Sequence, residues 1–159
     1  DTLKGIENLV GGSGNDTLIG DANANHLVGN GGADILKGGL GADDLTGGAG
    51  DDIFVFDTVL GSGNVDVIQD FDGAGVSGGD TIQLDSSIFR AVSGLSDLST
   101  MFQSLTSDVA ASATTRIIYN SATGALFYDA DGSKVLYAPV QFATLATHPA
   151  LTAGDFLVV

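Results

Sequence analysis

Residues 11–55 read GGSGNDTLI, GDANANHLV, GNGGADILK, GGLGADDLT and GGAGDDIFV, five nonapeptides laid end to end. Position 1 is glycine each time: Gly11, Gly20, Gly29, Gly38 and Gly47. Position 6 is Asp16, Asn25, Asp34, Asp43 or Asp52, and position 8 is Leu18, Leu27, Leu36, Leu45 or Phe54. Residues 2–10 form a worn preceding copy, with Gly5, Glu7 and Leu9 at positions 4, 6 and 8. The glycine-rich half of a unit turns tightly, because glycine enters backbone regions closed to other residues. The second half is a short strand whose position-8 side chain points inward while positions 7 and 9 point outward. A three-residue strand cannot stand alone, but stacked copies bury a continuous column of leucine. Two nonapeptides, strand–turn–strand–turn, make one coil of 18 residues.

That period decides which acids meet. Asp16, Asp34 and Asp52 fall on one side, and Glu7, Asn25 and Asp43 on the other. Coils stacked at the interstrand spacing of about 4.8 Å bring these carboxylates close enough to repel by roughly 1 kcal/mol or more per pair even in water. The ladder therefore needs a counter-cation. Carboxylate and backbone-carbonyl oxygens select a hard one, calcium rather than zinc or copper.

The pattern GGxGxDxUx in five copies resembles the repeat-in-toxin (RTX, haemolysin-type) calcium repeat, as found in the C-terminal region of serralysin-type secreted proteases. The resemblance implies a parallel β-roll with Ca²⁺ held between repeat n and repeat n+2. Positions 2, 4 and 6 of one repeat meet positions 1, 3 and 6 of the other. Carried over, one site is Gly12, Gly14 and Asp16 with Gly29, Gly31 and Asp34. A second is Asn30, Gly32 and Asp34 with Gly47, Ala49 and Asp52. On the opposite side Asp21, Asn23 and Asn25 meet Gly38, Leu40 and Asp43, with Asn25 costing that site a charge. A fourth uses Gly39, Gly41 and Asp43, completed by Asp66 from beyond the repeats, and Glu7 gives only a weak site.

Composition agrees with this reading. The chain has 159 residues, with 5 Lys plus Arg against 20 Asp plus Glu, a formal charge of −15. Of those acids 19 are Asp and one is Glu, a ratio suited to turns and hard cations rather than helices. Such a surface repels phosphate backbones and anionic membranes, so neither nucleic-acid binding nor membrane insertion is expected. The 43% apolar content argues against disorder. With no cysteine, disulfides and thiol chemistry are excluded, and calcium would serve as the staple of a secreted chain. Asp1-Thr2-Leu3-Lys4 is not a signal peptide and reads as a cut inside a longer protein.

Beyond residue 56 the period is lost. Val65–Phe71 and Asp80–Asp85 read as strands, and the spacing of Leu98, Met101, Phe102, Leu105 and Val109 predicts a helix within 97–110. Residues 116–142 read as a β-meander, with strands at Arg116–Tyr119, Leu126–Tyr128 and Val135–Phe142. The expected architecture is all-β: a parallel β-roll over 1–72, capped by a β-rich region with one short helix over 73–159. The ending Asp155-Phe156-Leu157-Val158-Val159 resembles the terminal signal of type I (ABC exporter) substrates, and it also suits a capping strand.

No enzyme site is expected. Only His26 and His148 are available, and no HExxH occurs. Gly75-Val76-Ser77-Gly78-Gly79 matches the letters of a nucleophile elbow but not its strand–turn–helix setting. Asp129-Ala130-Asp131-Gly132 begins like an EF-hand loop, but Val140 stands where that loop needs its glutamate. The expected function is a calcium-binding module of a larger secreted, extracellular protein, folding after export and carrying a signal for type I secretion machinery. The alternative is a calcium-dependent adhesive module whose cap binds a surface glycan or protein through an exposed apolar or aromatic patch in 86–115.

Overall fold

The computed structural model describes residues 7–73, 79–132 and 136–159. Strands β1 (Asn8–Val10), β3 (His26–Gly31) and β5 (Asp44–Ala49) stack in parallel as one wall. Strands β2 (Thr17–Ile19), β4 (Ile35–Lys37) and β6 (Ile53–Phe56) form the opposite wall. Asn8 pairs with His26 and His26 with Asp44; Thr17 pairs with Ile35 and Ile35 with Ile53. Every step is the 18 residues of one coil, so the chain is a parallel β-roll. The alternation within each unit fills the space between the walls. Leu9, Leu18, Leu27, Leu36, Leu45 and Phe54 are each 5% exposed or less.

The roll outlasts its motif. Strand β7 (Asp66–Ile68) pairs with β5, matching Asp44 to Val67, and β8 (Thr81–Leu84) pairs with β6, matching Ile53 to Thr81. These steps are 23 and 28 residues, so the coil geometry persists while the connecting loops lengthen.

The remaining strands are β9 (Phe102–Leu105), β10 (Ile117–Asn120), β11 (Ala125–Tyr128), β12 (Val140–Leu145) and β13 (Phe156–Val158). They extend both walls: one sheet runs β1-β3-β5-β7-β12-β11-β10-β9, the other β13-β8-β6-β4-β2. Edge-on aromatic pairs join the roll to this region. Phe56 meets Phe142 at 5.1 Å between ring centres, Phe142 meets Phe89 at 5.2 Å, and Phe89 meets Tyr128 at 5.2 Å.

The helix expected in 97–110 is absent; β9 lies there, parallel to β10. Asp97 accepts the Ser99 amide at 2.7 Å, a local turn that competes with helix initiation. Ser104, Thr106 and Ser107 are weak helix formers, and pairing with β10 satisfies the backbone instead. Among the described residues helical structure is limited to 3-10 turns at Arg90–Val92 and Ala153–Asp155. The third meander strand lies at Val140–Leu145 rather than 135–142; Leu136 and Tyr137 are exposed bends, and Val135 is outside the described residues. Residues 75–78 of the elbow-like stretch also lie outside them.

Replacing Leu36 with alanine is expected to destabilise the calcium-loaded chain by about 2–5 kcal/mol through lost burial and a cavity. The outward-facing Ile35→Ala should cost under about 1 kcal/mol. Urea unfolding in saturating calcium measures both.

Candidate metal centre

The position-6 residues form two hydrogen-bonded columns. In one, the Asp16 amide donates to Asp34 Oδ1 at 2.7 Å, that of Asp34 to Asp52 Oδ1 at 2.8 Å, and that of Asp52 to Asp80 Oδ1 at 3.0 Å. In the other, the Asn25 amide donates to Asp43 Oδ1 at 2.8 Å and that of Asp43 to Asp66 Oδ1 at 3.1 Å. Each carboxylate thus spends one oxygen as a strut to the coil before it.

The second oxygen separates the repeats into two groups. In the first two repeats it or its equivalent turns back on its own loop. Asp16 Oδ2 accepts the Gly12 amide at 2.7 Å, and Asn25 Oδ1 also accepts the Asp21 amide at 2.8 Å. In the last three, Asp34 Oδ2, Asp43 Oδ2 and Asp52 Oδ2 are buried with no hydrogen-bond partner among the described residues. The same three repeats carry left-handed backbone at positions 2 and 4: Asn30 and Gly32, Gly39 and Gly41, Gly48 and Gly50. Those turns press against the coil before them. A Cβ on Gly41 would lie 2.6 Å from the Asn23 carbonyl oxygen, and one on Gly39 would strike that of Asp21. Glycine is needed at these points for both conformation and close approach.

Residues of each expected ligand set lie at contacts between successive coils. Gly31 donates to the Gly12 carbonyl at 3.3 Å, beside the Asp16–Asp34 bond and the turns of Gly14 and Gly29. Gly32 donates to the Ala49 carbonyl at 2.9 Å, beside Asn30, Gly47 and the Asp34–Asp52 bond. Leu40 donates to the Asp21 carbonyl at 3.0 Å, near Asn23, Gly38 and the Asn25–Asp43 bond. Around Gly39, Gly41, Asp43 and Asp66, Thr58 Oγ1 donates to the Gly39 carbonyl at 2.9 Å and Gly41 donates to Asn64 Oδ1 at 2.7 Å.

Asn64, Asp70 and Asp80 are site neighbours that repeat counting misses. Asp70 accepts the Gly47 amide at 3.0 Å and the Gly48 amide at 2.9 Å. Asp80 stands before Thr81-Ile82-Gln83-Leu84 as Asp52 stands before Ile53-Phe54-Val55-Phe56, a usable signal at an irregular spacing.

A buried anionic oxygen without a partner is costly unless a cation or proton meets it. Among the described residues no three His, Cys, Asp or Glu side chains cluster for a metal. The donor set is therefore pairs of carboxylates with turn carbonyls, all hard oxygens, which fits calcium and not zinc or copper. Away from the columns, Asp129 closes its turn by accepting the Asp131 and Gly132 amides at 3.1 and 2.8 Å. Asp131 Oδ1 is buried without a partner, while its Oδ2 accepts the Leu136 amide at 3.2 Å. His26 faces outward, its Nδ1 3.6 Å from Asp44 Oδ2.

Without metal, burial pushes the Asp43 and Asp52 carboxyls up, the latter also through the charges of Asp34 and Asp70. Burial pushes Asp66 and Asp80 up to about 7. The folded chain then binds more protons than the unfolded chain between the ordinary carboxylate range and about 7. Its metal-free stability falls as pH rises through that window. In chelator, strand circular dichroism should be stronger at pH 5 than at pH 8; an equal or weaker signal at pH 5 would contradict the burial of these groups.

Comparison with known proteins identifies a family. The family model described as peptidase M10 serralysin C terminal matches residues 3–135. No curated protein matches the chain. The solution structure of the AlgE6R3 subunit from the Azotobacter vinelandii mannuronan C5-epimerase is similar at 24% identity, covering 99% of this chain and 85% of that one with a TM-score of 0.42. A likeness at that score says nothing about function. The family match spans most of the roll and its cap, and on it the chain belongs to the peptidase M10 serralysin C-terminal family.

Proposed function

We propose that this chain is a calcium-dependent folding and secretion module of a larger extracellular protein. The observation that carries this reading is the trio of buried oxygens on Asp34, Asp43 and Asp52, unpartnered among the described residues, in the three repeats whose turns are left-handed at positions 2 and 4. The four ligand sets, completed by Asp66 and adjoined by Asp70 and Asp80, hold Ca²⁺ between successive coils. Where calcium is scarce the ladder repels itself and the roll stays open, a state that can thread through an ABC exporter. Outside, calcium closes it.

The magnitudes are adequate. Extracellular calcium modules have Kd on the order of 10⁻⁴–10⁻³ M. At free calcium about tenfold above Kd each site adds about 1.4 kcal/mol. Three or four sites then approach the lower end of a domain's total stability, about 5–15 kcal/mol.

The two functional parts are the roll, 1–72, and the capping and signal region, 73–159. The last residues serve both states. Unfolded, they are the export signal; folded, Phe156–Val158 pair in parallel with β8. The buried Asp155 carboxylate accepts the Thr152 amide at 2.6 Å and caps the turn before the strand. The module supplies no catalytic group, and any activity belongs to the rest of the parent. The adhesive alternative calls for an apolar patch in 86–115, where Val109 alone among the described residues is a large exposed apolar side chain.

At pH 8 the chelator-treated chain should lack strand circular dichroism and regain it on calcium titration. Asp34→Asn, which alters a carboxylate shared by two sites, should raise the calcium midpoint by about tenfold or more. Identical spectra with and without calcium would refute the proposal.

A further inference from the structure

We propose that the cleft between Val59-Leu60, the 87–90 turn, Tyr128, Ala130 and residues 137–140 binds a medium-chain carboxylate, an alkyl tail with an anionic head. The cleft encloses about 420 Å³, within the size range of ligand pockets, about 300–1,000 Å³. Its walls are mostly aliphatic: Val59, Leu60, Ile88 and Val140 face it. Val59 is 66% exposed and Tyr137, at the rim, 65%. These side chains stand in water unless something covers them.

The polar side chains among its lining set the sign of the head. The chain holds 5 Lys plus Arg against 20 acids, and one of the five, Arg90, lines this apolar cleft. Its Nε donates to the Ser87 carbonyl at 3.0 Å, which fixes the side chain. Among the described residues the ion pairs are His26–Asp44 and Lys37–Asp57, so no carboxylate takes up the Arg90 charge. Tyr128, only 8% exposed, also lines the cleft. Its oxygen accepts the Ala91 amide at 2.8 Å, and its proton has no acceptor among the described residues. A guanidinium and a phenolic proton without an acceptor among the described residues thus line the same cleft as an aliphatic wall. A carboxylate accepts from both donors while its tail displaces water from the wall. A cationic head would meet Arg90 with repulsion, and a neutral alcohol would forgo the charge-assisted bond.

None of these residues belongs to the carboxylate columns, so occupancy is read separately from calcium binding, on chain folded in saturating calcium. Decanoate, decanol and decyltrimethylammonium are titrated by calorimetry and by amide NMR. Decanoate should bind saturably and shift the amides of Ile88, Arg90, Ala91, Tyr128 and Val140. Decanol and the ammonium should bind at least tenfold more weakly. Arg90→Gln, at an exposed position, should weaken decanoate about tenfold and leave the calcium midpoint unchanged; Tyr128→Phe should weaken it without moving the site. The proposal is overturned by absence of saturable decanoate binding, by equal binding of the ammonium, by shifts confined to another surface, or by an unaffected Arg90→Gln variant. Tighter binding of a short apolar peptide with a free C-terminal carboxylate would overturn the alkyl assignment.

Discussion

The structure depends on what each position-6 carboxylate does with its two oxygens. One accepts the position-6 amide of the coil before it and ties coil to coil across 18 residues of chain. The other is left, in three repeats, inside the protein with nothing to accept from. The first bond makes the ladder; the second oxygen makes the ladder unstable alone. Leucine burial between the walls supplies the non-directional part of folding, yet it acts on strands of only three to six residues. In the proposed function, closure of the roll is decided by whether the stacked charge is met.

The turns show how the same motif yields two local outcomes. Where positions 2 and 4 are right-handed or extended, as at Gly12 and Gly14 or Asp21 and Asn23, the position-2 amide satisfies the position-6 side chain. Where they are left-handed, that bond is absent and the carboxylate oxygen is buried beside the position-1 glycine of its own turn, with no hydrogen-bond partner among the described residues. Asn30 shows that the second state does not require glycine throughout, since asparagine tolerates this backbone region better than most residues. Past the repeats, Asp66 and Asp80 take the position-6 role on irregular spacing, and each is buried enough to be pushed up to about 7.

Legibility in the sequence followed periodicity. The roll, its 18-residue register and its leucine column could be read from residues 11–55 because every coil repeats one local rule. Asp66 was reachable through the family resemblance. Asp80 and Asp70 were not, because loops that lengthen by five and then ten residues destroy the count while preserving the geometry. The helix expected in 97–110 failed for another reason. Leu98, Met101, Phe102 and Leu105 carry helical spacing, but a serine- and threonine-rich segment beside an unpaired strand edge gains more from joining the sheet. Nor does any pattern in the sequence announce the Arg90 cleft, which is assembled from three distant segments.

Crystals grown in calcium and measured near a wavelength where calcium scatters anomalously test the central claim most directly. The account predicts anomalous peaks about 2.3–2.6 Å from Asp34 Oδ2, Asp43 Oδ2 and Asp52 Oδ2, each also in reach of turn carbonyls from the adjoining coil. A folded roll in saturating calcium with no peak at these three oxygens would contradict it.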